Sequence, residues 1–222
     1  MVGSRKLSGS TKSYTELTNR CEMSNKMYSA GIMAQAFWFN EFRQFLYLIN
    51  EGYKENEIKK AVVEENLFGA PNEYRAKRMY GYISNRATAI DDNLIELFFS
   101  SDLETQKIIN LISIIHNDRL FFEFLYEVYR EKIIIGAQIL DQADIKTFFN
   151  QKETQDESLA EWKDTTKKKV QTAYLTFMTD ANLLRNENNK RIITPPLLDI
   201  TLERYLQSNG ETAIVKAITG EY

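Results

Sequence analysis

Lys163 to Ile193 reads KDTTKKKVQTAYLTFMTDANLLRNENNKRII, and this stretch decides the reading of the fold. Val170, Ala173, Tyr174, Phe177, Ala181 and Leu184 recur at helical spacing, so a helix from Thr165 to about Asn182 buries one stripe. Asp164 stands where a side-chain oxygen caps a first turn. Lys168, Gln171, Thr172, Leu175 and Thr179 fall on the outward side. Leu183-Leu184-Arg185 and Lys190-Arg191-Ile192-Ile193 then flank Asn186-Glu187-Asn188-Asn189, two short apolar-bearing arms around an Asn-rich turn, which predicts a β-hairpin.

Working back from that helix, Ala143–Gln151 is helical with Ile145, Phe148 and Phe149 inward, and Glu157–Trp162 allows a short second helix. Three helices followed by a hairpin is the order of a winged helix-turn-helix. Pro195-Pro196 closes the hairpin, and two short helices around Gly210 complete the chain.

The N-terminal half repeats the helical theme without repeating the sequence. A largely buried helix is expected from Ile32 to Ile49, stopped by Gly52, and a second from Lys54 to Asn66 with Ile58, Val62 and Val63 inward. Leu67-Phe68-Gly69-Ala70-Pro71 supplies a turn into a third helix, Pro71 to Ala89. There Ala76, Met79, Tyr80, Ile83, Ala87 and Ile90 share one face, while Arg75, Arg78, Tyr82 and Arg86 lie on an adjoining one. Helix, short turn and basic-striped helix outline a helix-turn-helix.

Between the two ends, Ser101-x-x-Glu104 is a capping-box pattern ahead of Ile108, Ile109, Leu111, Ile112 and Ile115. A further helix runs from about Asp118 to Ile135 and stops at Gly136. The expected division is a tail over 1–27, a helix-turn-helix region over 28–92, a helical hub over 93–137 and a winged region over 138–222. The class is mainly α, with few turn-formers: nine glycines and three prolines in 222 residues.

Composition narrows the chemistry. One cysteine, Cys21, excludes an internal disulfide framework and suits a reducing cytoplasm. The longest uncharged stretch, Met27 to Asn40, is too short for the roughly 20 apolar residues a spanning helix needs. One histidine, His116, and one cysteine cannot assemble a zinc site of the usual ligand types, and no phosphate loop or nucleophile elbow occurs. Glu123, Glu127 and Glu131 share a helix face where three acids can hold a divalent cation, but Arg119 one turn earlier makes an ordinary i,i+4 pair the better reading. No enzyme, metal site or cofactor is expected.

Charge placement carries the positive reading. The chain has 28 basic and 31 acidic residues, a net of −3, yet Lys163 to Arg191 holds seven basic residues against three acids, a net of +4. Lys167, Lys168 and Lys169 open the candidate recognition helix, and Arg185, Lys190 and Arg191 lie on the candidate wing. Such a pairing sets one element in the major groove of a duplex and the other on its backbone, with Gln171 and Thr172 facing base edges. Winged helices also serve as protein-docking modules, and basic helices also suit folded RNA, though no RNA-recognition signature is present.

Several stretches resemble the BrxA family of bacteriophage-exclusion (BREX) defence systems. They are Tyr28-Ser-Ala-Gly31, Val63-Glu-Glu-Asn-Leu67, Asp118-Arg-Leu-Phe-Phe-Glu-Phe-Leu125, Glu127-Val-Tyr-Arg-Glu-Lys132, Trp162 with Thr165 to Lys169, and Ile193-Thr-Pro-Pro-Leu-Leu198. The resemblance spans about residues 28–219. It implies an all-helical monomer with two helix-turn-helix units beside positive surface, double-stranded DNA as ligand, and a methyltransferase, an ATPase and a phosphatase-like protein as partners. It assigns no individual residue.

Overall fold

The structure, a computed structural model, describes residues 27–221; the expected tail and Cys21 lie outside the described residues, apart from Met27. The protein is mainly α. A 3-10 turn, Ala30–Ala34, precedes α1 (Phe39–Asn50), α2 (Glu55–Val63), α3 (Glu73–Ala87), α4 (Asp92–Ser100) and α5 (Leu103–Ile115). Then α6 (Arg119–Phe124) runs through a π-helical stretch, Leu125–Tyr129, into α7 (Arg130–Ile134). The remainder is α8 (Gln142–Gln155), α9 (Glu157–Ala160), α10 (Asp164–Asp180), strands β1 (Leu184–Glu187) and β2 (Lys190–Ile193), α11 (Ile200–Ser208) and α12 (Thr212–Thr219).

The single helix expected from Ile32 to Ile49 is two elements. Trp38 takes φ 46, a left-handed conformation that ends any continuous helix. The break is paid for by hydrogen bonds from other elements: Phe37 O accepts from Arg86 Nη1 at 2.7 Å and from Asn110 Nδ2 at 2.9 Å, and Ala36 O accepts from Arg86 Nη2 at 2.8 Å. Sequence periodicity does not register partners 49 and 73 residues away.

Two caps also differ from expectation. Ser101 turns its hydroxyl back to Leu97 O, at 2.7 Å, and Asp102 caps α5 by accepting from Thr105 N at 2.8 Å. Lys163, not Asp164, is the cap residue of α10, and Asp164 lies in the first turn, where its charge favours the helix N-terminus. Asp91 caps α4 by accepting from Leu94 N at 2.8 Å; the sequence reading places no helix over 92–100. Gly52, at φ 81, ends α1, and Gly136, at φ 71, ends α7, both as expected.

The hairpin is present in the expected place. Leu184 pairs with Ile193 and Glu187 with Lys190, antiparallel, around Asn188 and Asn189, both left-handed as a two-residue hairpin turn requires. On the other side of β2, Ile139 forms an antiparallel bridge to Ile192, and Leu140 N donates to Arg191 O at 3.0 Å. The hairpin is therefore held from both flanks: by the segment ahead of α8, and by α10 through Leu183 N to Met178 O at 2.8 Å.

One hydrophobic core runs through the described residues. Phe37 meets Phe177 of α10 with centroids 6.2 Å apart, and Phe121 stacks on Tyr174 at 4.6 Å. The two halves are thus packed through α10 and α6. Among the described residues no helix is long and apolar enough to cross a membrane.

Candidate nucleic-acid interface

Burial of the inner face of α10 (Val170, Ala173, Tyr174, Phe177, Met178) leaves its other side outward. Lys168 and Lys169 are exposed there, with no ion-pair partner among the described residues. Lys167 is different. Its side chain is only 12% exposed and its ammonium lies 3.0 Å from Glu153 Oε2 of α8, so it ties two helices together instead of offering a free charge. Thr172 is exposed, but its hydroxyl donates to Lys168 O at 2.8 Å, the habit of threonine within a helix. Gln171 is half-buried and accepts a long contact, 3.5 Å, from Gln142 Nε2.

On the hairpin, Lys190 is exposed and Arg191 half-buried, and neither has an ion-pair partner among the described residues. Arg185 is exposed and pairs with Glu187 at 2.9 Å along its own strand. An exposed pair of that kind is weak and exchangeable. Among the described residues, the cations of this region without an ion pair are therefore Lys163, Lys168 and Lys169 at the start of α10 and Lys190 and Arg191 on the hairpin. The length of α10 separates these two groups in the chain, about 17 Å of helix from Lys169 to Asp180.

The N-terminal stripe divides. Arg86 is withdrawn from it: the residue is 1% exposed, and its guanidinium donates to Phe37 O, Ala36 O and Gln35 Oε1, the last at 2.8 Å. Burial draws its pKa down to about 9, with Glu41 acting in the opposite direction, so it stays cationic at neutral pH. The helical wheel places Arg86 beside the core face of α3; the Gln35–Trp38 segment lies over that edge and encloses it.

Arg75 and Arg78 remain accessible and are organised by rings. Arg75 sits over Trp38 at 5.2 Å, and Arg78 lies 5.9 Å from the rings of both Tyr74 and Tyr82, donating to the Tyr82 hydroxyl at 3.3 Å. That hydrogen bond holds the Arg78 guanidinium above its ordinary pKa. Trp38 in turn stacks on Tyr82 at 6.0 Å. Sequence reasoning missed Tyr74 and Trp38. Tyr74 was detectable, four residues before Arg78; Trp38 was not, because it arrives from another element.

The acidic row that runs from α6 through the π-helical stretch to α7 has its cation already. Glu123 accepts from Arg119 Nε at 2.7 Å, from Lys152 Nζ at 2.7 Å and from Tyr28 OH at 2.7 Å, and Lys152 also reaches Glu127 at 2.7 Å. The pairing of Arg119 with Glu123 is the one expected from spacing. Lys152 is the addition, a nearly buried ammonium standing between two carboxylates. These bonds hold Glu123 below the usual carboxylate range against its burial. Glu131 pairs with Arg130 at 2.7 Å. Among the described residues no group of three or more His, Cys, Asp or Glu side chains is placed to hold a metal ion. His116 bridges elements: Nδ1 lies 2.8 Å from Ala89 O and Nε2 lies 3.1 Å from Glu211 Oε2.

Fold and surface define a small, mainly α-helical protein whose basic residues gather on a helix-and-hairpin unit and on one helix of the other half. A model of the BrxA family matches residues 26–210. The chain is 34% identical over 196 residues, 88% of its own length and 98% of the relative's, to the BREX protein BrxA of Bacillus cereus (strain H3081.97). It belongs to the BrxA family, and so is a component of a BREX phage-defence system. The fold is also similar to that in the crystal structure of an uncharacterized protein from Magnetospirillum magneticum, with a TM-score of 0.75 at 18% identity, covering 88% of this chain and 100% of that one.

Proposed function

We propose that the protein is a non-catalytic component of its BREX system that holds double-stranded DNA through a C-terminal winged helix-turn-helix. In this reading α10 enters the groove and the β1–β2 hairpin rests on the backbone. The observation that carries it is a set of cations with no ion-pair partner among the described residues, Lys168, Lys169, Lys190 and Arg191 among them, on a segment of net +4 in a chain of net −3. The N-terminal α2–α3 helix-turn-helix supplies a secondary contact through Arg75 and Arg78. Its setting is the cytoplasm, as a monomer that meets the other BREX proteins on DNA. The methyltransferase, ATPase and phosphatase-like component are the expected partners.

A salt titration of duplex binding tests this. Each phosphate contact contributes a slope of about −0.9 to the log–log plot of affinity against salt. Changing Lys168, Lys169, Lys190 and Arg191 together to Ala flattens that slope by roughly two to four units, and changing Arg75 and Arg78 flattens it less. An unaltered slope in the quadruple variant makes a protein-docking adaptor the better account. That second reading has its own support in Leu197, fully exposed, and Ile200, largely exposed, just beyond the wing.

A further inference from the structure

The α3 face is built unlike the C-terminal unit. Its cations are not free lysines but guanidiniums laid against rings, in a row that runs Tyr74, Arg78, Tyr82, Trp38, Arg75, with successive centres 5.2–6.0 Å apart. The row is fixed from below at Trp38, beside its Arg75 end. Trp38 is held left-handed by the hydrogen bonds of the buried Arg86, whose guanidinium also lies 5.6 Å from the Trp38 ring. The outer end is open: Tyr74 is 72% exposed. Neither Arg75 nor Arg78 has a carboxylate partner among the described residues, and the nearest acid of the helix, Glu73, is paired with Lys77 at 2.6 Å.

We propose that this face binds single-stranded DNA, with a base stacked on Tyr74 and the backbone phosphates on the edges of Arg78 and Arg75. A guanidinium that spends its face on a ring keeps its N–H edge for phosphate. An exposed ring offers a flat surface that a duplex does not use, because paired bases hide their faces in the helical stack; an unpaired strand presents them. Positive edges alternating with π-faces are the combination that binds single strands without reading sequence. The choice of DNA over RNA rests on the duplex reading above; the stacking chemistry itself does not. The C-terminal unit then holds a duplex, and Arg75 and Arg78, its secondary contact, take an opened strand once Tyr74 has an unpaired base to stack on.

The test is fluorescence anisotropy of the full chain with labelled oligothymidylate, oligouridylate and a duplex. Tyr74→Ala and Arg78→Ala, both at the surface, are expected to weaken oligothymidylate binding at least about fivefold, with Tyr74→Phe close to wild type. Duplex binding is expected to survive Tyr74→Ala and to weaken, with a flatter salt dependence, in the Lys168, Lys169, Lys190, Arg191 quadruple variant. Failure of wild type to bind oligothymidylate, indifference of that binding to Tyr74→Ala, equal loss on the duplex, or tighter binding of oligouridylate would each overturn the proposal. Oligothymidylate binding that depends on Tyr74 in a protein with no duplex affinity supports this site and removes the winged-helix reading instead.

Discussion

Asp118 caps α6 and also anchors α10. Its Oδ1 accepts from Phe121 N at 2.8 Å and from the Tyr174 hydroxyl at 3.1 Å. The carboxyl is enclosed, and burial outweighs these hydrogen bonds, so its pKa rises from 3.8 to about 6. A carboxyl whose folded pKa lies above its unfolded value takes up a proton on folding between the two. Stability from this group is therefore present below about pH 4 and is lost as pH rises through 6. The rise from 3.8 to about 6 corresponds to about 3 kcal/mol at most. Asp118→Asn keeps a side-chain oxygen for both donors, and Asn caps helices about as well as Asp, but it does not titrate. The assay is urea unfolding of both proteins across this pH range, taking the difference so that other carboxylates cancel. Wild type is expected to lose up to about 3 kcal/mol relative to Asp118→Asn between pH 4 and pH 7. A difference that stays flat, or that moves the other way, refutes the argument that burial dominates this site.

Arg86→Met retains most of the side-chain volume but leaves Ala36 O and Gln35 Oε1 without their donor, while Phe37 O keeps Asn110. A loss of about 3 kcal/mol is expected, read as a fall in Tm on the order of 10 °C, together with a changed Trp38 emission. Unchanged stability would show that the break at Trp38 does not depend on Arg86. Gly81→Ala adds a methyl into open space on the surface of α3 and is expected to raise Tm by about 2–4 °C, measured by thermal unfolding.

The sequence by itself determined the helical class, most helix positions, the hairpin with its Asn188-Asn189 turn, and the clustering of positive charge toward the C-terminus. Each of these is local: side chains at a spacing of three or four residues share a face, left-handed turn positions select Asn or Gly, and charges can be counted along the chain. The tertiary structure decided which of those charges remain available. Lys167 and Arg86 look like their neighbours in the sequence, but one meets Glu153 and the other is closed in by a segment 49–51 residues away. Trp38 joins the α3 face for the same reason, since its place depends on a backbone reversal whose hydrogen-bond donors come from α3 and α5. Periodicity reports the direction in which a side chain leaves its own helix. What fills the space it enters is set by the packing of elements distant in the chain, and there the accessible cations were separated from the structural ones.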